Sequence, residues 1–117
     1  MKKILFIFLT ILTMTVVLTA CGNSIPKGMT KEVYDYGCKA LEIMEKYNAA
    51  EISGEDAKDR LESLKKSLDA EKEKLTDVIE NGSAFLVSSD VQFFIFAIGG
   101  NGSTFDVEKS LRKELGK

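Results

Sequence analysis

An apolar run at residues 4–18 is the feature that most limits what this chain can fold into. Lys2 and Lys3 precede the run, only threonines interrupt it, and the small residue Ala20 follows it. A basic start, a short apolar segment and a small-residue end are the three parts of a secretory signal peptide. The run is shorter than the roughly 20 apolar residues that a transmembrane helix needs. We therefore predict that residues 1–20 are removed on export and take no part in the fold.

The tetrapeptide Leu18-Thr19-Ala20-Cys21 closes this segment. It resembles the lipobox of bacterial lipoprotein precursors, in which an aliphatic residue, a small or hydroxyl residue, and Ala or Gly precede a cysteine. The resemblance covers the first twenty-odd residues. It implies cleavage between Ala20 and Cys21, a diacylglyceryl group on the Cys21 thiol, and a location at the outer face of the bacterial cytoplasmic membrane. Two acyl chains anchor a protein stably, whereas one chain binds only marginally. The alternatives are an ordinary signal peptide that a cysteine happens to follow, and an uncleaved anchor.

The mature chain is predicted to be a short tether and one small domain. Residues 21–28 are small and polar and contain the chain's one proline, which is typical of a flexible linker. Residues 29–117 are enough for a single domain. Removing Lys2 and Lys3 leaves 14 basic against 18 acidic residues, a net charge of −4. This charge argues against nucleic-acid binding and against an electrostatic attraction to anionic lipids.

Two helices are predicted in the first half of the domain. Apolar residues at spacings of three and four follow Thr30, which we interpret as an N-cap. Ser53 and the acids after it mark a second start, of a helix that extends to Glu80, bends near Glu71 and stops at Asn81-Gly82. Its coiled-coil-like seam could pack on the first helix or on a second copy of the chain. The seam contains Leu61, Leu64, Leu68 and Leu75.

The second half is predicted to add two further elements. Residues 84–98 are rich in aromatic and β-branched residues; we favour a short buried helix that starts at Ser88-Ser89-Asp90, with a strand as the alternative. After a glycine-rich loop, Ser103 or Thr104 caps a last amphipathic helix. The predicted fold is therefore all-α: a small helical hairpin with a short apolar helix and a C-terminal amphipathic helix.

Little in the composition supports catalysis. The chain has no His, the commonest general base and zinc ligand. Its acidic pairs do not lie in apolar sequence of the kind that raises a carboxyl pKa for acid catalysis. Calcium-loop and phosphate-loop patterns are lacking as well. We expect no catalytic residues, no metal site and no cofactor, and we interpret the protein as not an enzyme.

Cys38 is the second of the two cysteines. If Cys21 carries lipid, no intramolecular disulfide can form. We expect Cys38 to be a small buried apolar residue, with an intermolecular disulfide or a reactive thiol as the alternatives.

The apolar block at residues 93–98 is the most distinctive mature segment. Its simplest role is in the core, but Phe93, Phe94 and Phe96 are also a candidate partner surface. The leading hypothesis is a membrane-anchored, extracytoplasmic, non-catalytic interaction or accessory module whose protein partner is unknown. The alternative is a small-ligand-binding or sensing lipoprotein, in which this block and the tyrosines line a pocket. Those tyrosines are Tyr34, Tyr36 and Tyr47.

Overall fold

Four α-helices joined by short loops make up the part of the chain that the computed structural model describes, residues 24–117. They are α1 (Lys31–Asn48), α2 (Gly54–Glu73), α3 (Val78–Ile98) and α4 (Thr104–Glu114). No residue from 24 to 117 is in a β-strand, so the all-α prediction is confirmed and the strand alternative for residues 84–98 is wrong. The predicted signal peptide and Cys21 lie outside the described residues.

Side-chain caps set where the helices begin. Thr30, Ser53 and Ser103 each accept a hydrogen bond from the backbone N–H three residues further on, as expected for N-caps. Asp77, which the sequence analysis does not single out, accepts hydrogen bonds from the N–H groups of Ile79 and Glu80 and begins α3. These bonds satisfy donors that a helix N-terminus otherwise leaves without partners.

The single long helix predicted for residues 54–80 is wrong. The chain turns at residues 74–77, so that α2 ends early and α3 begins before the predicted stop at Asn81. The Asn81 amide donates to the backbone carbonyls of Lys72, at 3.1 Å, and of Leu75, at 3.4 Å. A side chain that resembles a helix stop in the sequence therefore ties the turn between two helices.

The predicted helix start at Ser88-Ser89-Asp90 is also wrong. These residues lie in the middle of α3, and the apolar helix is longer than predicted because it includes the segment from Val78 onward. Ser88 and Asp90 are buried, and both make hydrogen bonds to neighbouring helices. A serine and an acid in sequence do not mark an N-cap when their side chains find partners elsewhere in the fold.

The core forms where α3 packs against all three other helices. α1 packs on α2 and α4 as well, and its side chains complete the interior. The predicted leucine seam packs within the chain: Leu61 and Leu68 are fully buried, and Leu64 and Leu75 pack against the core. The largest fully buried side chains are Phe94, Met44, Leu61, Leu68, Leu111, Leu115, Val33, Val87 and Val91.

The first and last helices close the bundle. A Cβ atom at Gly37 would lie 2.7 Å from Cδ2 of Leu115, so only glycine lets α1 approach the C-terminal turn this closely. The Asn48 amide donates to the Glu108 carboxylate at 2.8 Å. Arg112 forms an ion pair with Glu45 at 3.0 Å. Packing and polar contacts therefore hold the end of the chain against its first helix.

Candidate functional site

α3 carries large apolar side chains on the side that faces away from the core. At 3.6 residues per turn these side chains lie within about 120° of the helix surface and extend for about 27 Å along its axis. Gly82 and Ser89 occupy the remaining positions of the same strip. We call the strip the α3 apolar face; its six apolar members, each at least half exposed, are Val78, Ile79, Phe85, Leu86, Phe93 and Phe96.

The α3 apolar face contains no charged residue. The only acids in α3 are Glu80, which lies outside the strip, and Asp90, which is buried. The Lys72 ammonium of α2 borders the face and lies 5.4 Å from the centre of the Phe85 ring. Exposed apolar side chains that are contiguous in this way mark a surface that another phase or molecule covers.

By length and composition alone, α3 could cross a membrane. Its other side, however, supplies eight buried residues to the interior of the domain, among them the polar Ser88 and Asp90. These positions pack against α1, α2 and α4. We therefore interpret α3 as the core helix of a folded domain with one exposed side.

The predicted partner residues divide between the surface and the core. Phe93 is 57% exposed and Phe96 50% exposed, so both belong to the α3 apolar face. Phe94 is fully buried and meets the Tyr47 ring edge-on, with ring centres 5.7 Å apart. Its place in the candidate surface is corrected, since consecutive residues of a helix point about 100° apart.

Four members of the face are missing from the sequence analysis. They could have been found by their spacing, because Val78 and Phe85, like Ile79 and Leu86, are seven residues apart and so share one side of a helix. The misplaced boundary between α2 and α3 hid this signal. Once α3 begins at Val78, the pattern continues to Phe93.

The end of the predicted tether packs against the start of this face. The Ser83 hydroxyl donates to the Gly28 carbonyl at 2.9 Å. Gly28 has a φ of +86°, and a Cβ atom there would lie 2.6 Å from Cγ2 of Ile79. Only glycine combines that backbone conformation with so close an approach. The chain that leads back to Cys21 therefore leaves the domain beside the α3 apolar face.

A buried carboxyl pair joins α3 to α4. Asp90 accepts hydrogen bonds from the Ser110 hydroxyl at 3.3 and 3.4 Å. The Glu114 carboxyl lies within hydrogen-bonding range of Asp90. Oε2 of Glu114 is shielded from solvent, and no donor among residues 24–117 bonds to it. Two carboxyl groups this close share a proton, because both cannot ionise at little cost.

The pKa of Glu114 is raised to about 8, first by burial and then by the hydrogen bond and the charge of the adjacent Asp90. Burial also raises the pKa of Asp90, against the lowering effect of its hydrogen bonds with Glu114 and Ser110. The acidic pairs considered in the sequence analysis are neighbours in the chain, so this pair was missed. Asp90 precedes Val91 on the buried side of α3, and the fold brings an acid from another helix to it.

A second polar tie joins α3 to α2. The Ser88 hydroxyl donates to Asp69 at 2.7 Å, and Lys65 forms an ion pair with the same carboxylate at 2.7 Å. Burial acts to raise the pKa of Asp69, but the hydrogen bonds from Lys65 and Ser88 outweigh it and the pKa is lowered. Both buried polar side chains of α3 therefore have partners on the neighbouring helices.

Among the residues that the structure describes, two of the tyrosines predicted to line a ligand pocket belong to the core. Tyr34 is buried in the core and Tyr47 packs on Phe94. A surface depression of about 120 Å³ lies between α2 and α3, and its walls are mainly charged. Its lining residues are Glu62, Lys65, Lys66, Asp69, Gln92 and Ile95.

Cys38 is buried, at 7% exposure, and is disulfide-bonded. The burial agrees with the sequence analysis, whereas the disulfide contradicts the expectation that no intramolecular disulfide is available. The chain has only one other cysteine, Cys21, which lies outside the described residues. A sulfur atom in a thioether cannot also form a disulfide, so an intramolecular disulfide and a lipid anchor exclude each other.

Within residues 24–117, no group of three or more metal-ligating side chains could hold a metal ion. No protein family, no curated protein and no solved structure matches the chain.

Proposed function

We propose that the chain is a bacterial lipoprotein, anchored by a diacylglyceryl group on Cys21 at the outer face of the cytoplasmic membrane, where it serves as a non-catalytic interaction or accessory module. The observation that carries the proposal is the α3 apolar face, an uncharged contact surface on a domain whose leader ends in Leu18-Thr19-Ala20-Cys21. The lipobox and the exposed face together favour a protein that works by contact at a membrane, with the Cys21 sulfur in a thioether and not in a disulfide with Cys38.

The non-catalytic part of the proposal is supported by where the unusual groups lie. The Asp90–Glu114 pair is packed between α3 and α4, and the Ser110 hydroxyl donates a hydrogen bond to Asp90. A catalytic acid must reach its substrate. A carboxyl pair that ties two helices together, with Asp90 buried and Glu114 half-buried, fits a structural role better than a site that admits a substrate.

Ligand binding has less support. Of the tyrosines assigned to a pocket, Tyr34 is in the core, and the depression between α2 and α3 has charged walls. Small-molecule sites are mostly apolar clefts of roughly 300–1,000 Å³. The domain uses its aromatic residues for its core and its surface.

The fate of the Cys21 sulfur tests the proposal. Wild-type chain, expressed in a bacterium with a palmitate analogue, should carry the label, stay in the membrane fraction and yield an N-terminal peptide that begins at a thioether-modified Cys21. Cys21→Ser removes the acceptor, so the label should disappear and the precursor should accumulate. Mass spectrometry of the N-terminal peptide is the deciding measurement.

Cys38→Ser is the matched control, because it removes the other sulfur and leaves the lipobox intact. This variant should be labelled as strongly as the wild type. The opposite result is an unlabelled wild type in which the peptides containing Cys21 and Cys38 separate only on reduction. That result would assign the protein to secreted, disulfide-bonded domains and end the lipoprotein proposal.

A further inference from the structure

We propose that the α3 apolar face rests on the lipid bilayer, so that the domain docks lengthwise on the membrane that anchors it. The inference rests on the proposed function, since it takes the Cys21 lipid as given. It adds a second point of attachment, and it names the bilayer itself as the occupant of the face.

The position of the tether brings the face close to the bilayer. Gly28 contacts Ile79 and Ser83 at the start of α3, and only six residues lie between it and Cys21. Even fully extended, that length of chain spans about 25 Å. The acyl chains therefore enter the bilayer within about 25 Å of the first turn of α3, a distance comparable to the length of about 27 Å over which the face extends.

The chemistry of the face suits lipid better than a polar or charged partner. Phe85, Phe93 and Phe96 project from it, and none of its residues is charged. Helices that lie in a membrane interface bury such a side at the boundary between headgroups and acyl chains. In most such helices the opposite side is in contact with water, whereas the opposite side of α3 is covered by the rest of the domain.

Charge plays a small part in this docking. The mature chain carries a net charge of −4, and Lys72 beside Phe85 borders the face. Anionic headgroups attract clusters of basic residues, and the face has none. We therefore expect docking to depend on apolar contact and to persist in high salt.

Tryptophan fluorescence can report this contact, because the natural chain contains no Trp. Phe93→Trp places the probe at an exposed position of the face, where the larger ring displaces no core side chain. Ser63→Trp is the control on α2. Ser63 is exposed, and it lies two residues before Lys65, which borders α3 beside Gln92. Two residues of a helix point about 200° apart, so this probe faces away from α3.

Each full-length variant is expressed in bacteria, purified from the membrane fraction and reconstituted in phosphatidylcholine–phosphatidylglycerol vesicles whose acyl chains carry bromine, a quencher of indole fluorescence. The lipid should quench Phe93→Trp several-fold more strongly than Ser63→Trp, at low and at high salt. Aqueous acrylamide should show the opposite order. Equal quenching of the two variants by the brominated lipid would overturn the docking while the lipid anchor stands.

Two other results identify different failures. If Phe93→Trp is shielded from acrylamide in native membranes but is not quenched in brominated vesicles, a protein covers the face and the lipid proposal is wrong. If neither variant is recovered in the membrane fraction, the anchor itself is absent. The proposed function then fails together with the docking that depends on it.

Discussion

Phe93 and Phe94 are adjacent in the chain and have opposite environments. Phe94 fills the centre of the core, where it meets Tyr47, while more than half of the Phe93 surface is exposed. A single turn of helix therefore supplies both the interior of the domain and its contact surface. Substituting each phenylalanine in turn separates the two contributions.

We expect Phe94→Ala to lower the free energy of unfolding by about 3–5 kcal/mol, because it removes a buried ring and leaves a cavity. Phe93→Ala should change the free energy by only about 0.5 kcal/mol, as exposed positions usually do. Denaturant unfolding of both variants measures the difference. Equal losses would contradict the assignment of the two rings.

At the level of residues, sequence alone predicts local features such as helix caps better than the direction in which a side chain points. The caps Thr30, Ser53 and Ser103 were predictable because an N-cap depends on local side-chain bonds. Which phenylalanine of residues 93–96 faces outward depends on the phase of the helix, and the phase follows from packing against distant elements. The approach of Glu114 to Asp90 joins two helices and leaves no local signal.

At the level of helices, the carboxyl pair links the stability of the α3–α4 contact to pH. Glu114 titrates at about 8 in the folded chain, against an ordinary value of 4.5, so the folded state retains a proton that the unfolded chain releases. The stability that this proton contributes is complete below the ordinary value and is lost as pH rises toward the folded value.

We therefore expect the free energy of unfolding to fall as pH rises from about 5 to about 9. Glu114→Gln should flatten this dependence, because its amide still donates to Asp90 and does not titrate in this range. The exposed Glu73→Gln is the matched control and should keep the wild-type dependence. Denaturant midpoints across the pH range provide the test, and parallel curves for wild type and Glu114→Gln would refute the role of the pair.

The helices also differ in how well the spacing of their apolar residues predicts them. α1 and α4 were predictable from amphipathic spacing, since each has one apolar side and one polar side. α3 is apolar nearly all round, so its sequence shows little periodicity from which to place its ends. Its start depends on the N-cap Asp77 and on the turn that the Asn81 amide holds. Both signals were hidden because the predicted second helix continued through Leu75 to Glu80.

At the scale of the whole molecule, the C-terminal turn completes the core. Leu111 and Leu115 are fully buried, and Leu115 packs directly on the backbone of α1 at Gly37. The first helix therefore has its final environment only when the last residues are in place. This closure makes the end of the chain as important for stability as its centre.

We expect Leu115→Ala to destabilise the domain by about 2–5 kcal/mol, the range for truncating a buried leucine. Phe105→Ala, a change at an exposed position of α4, the helix that Leu115 caps, should cost only about 0.5 kcal/mol. Thermal and denaturant unfolding of the two variants are the measurements. A cost for Leu115→Ala as small as that for Phe105→Ala would mean that the C-terminal turn is not part of the cooperative unit.

The burial of Leu115 also orders events in time. A ribosome or an export channel delivers a chain from its N-terminus, so residues 31–114 emerge before the side chain that closes the core against Gly37. Until then α1 lacks the part of its packing that Leu115 supplies. Any modification near the N-terminus, at Cys21 above all, has the whole interval of synthesis in which to occur on an unfolded chain.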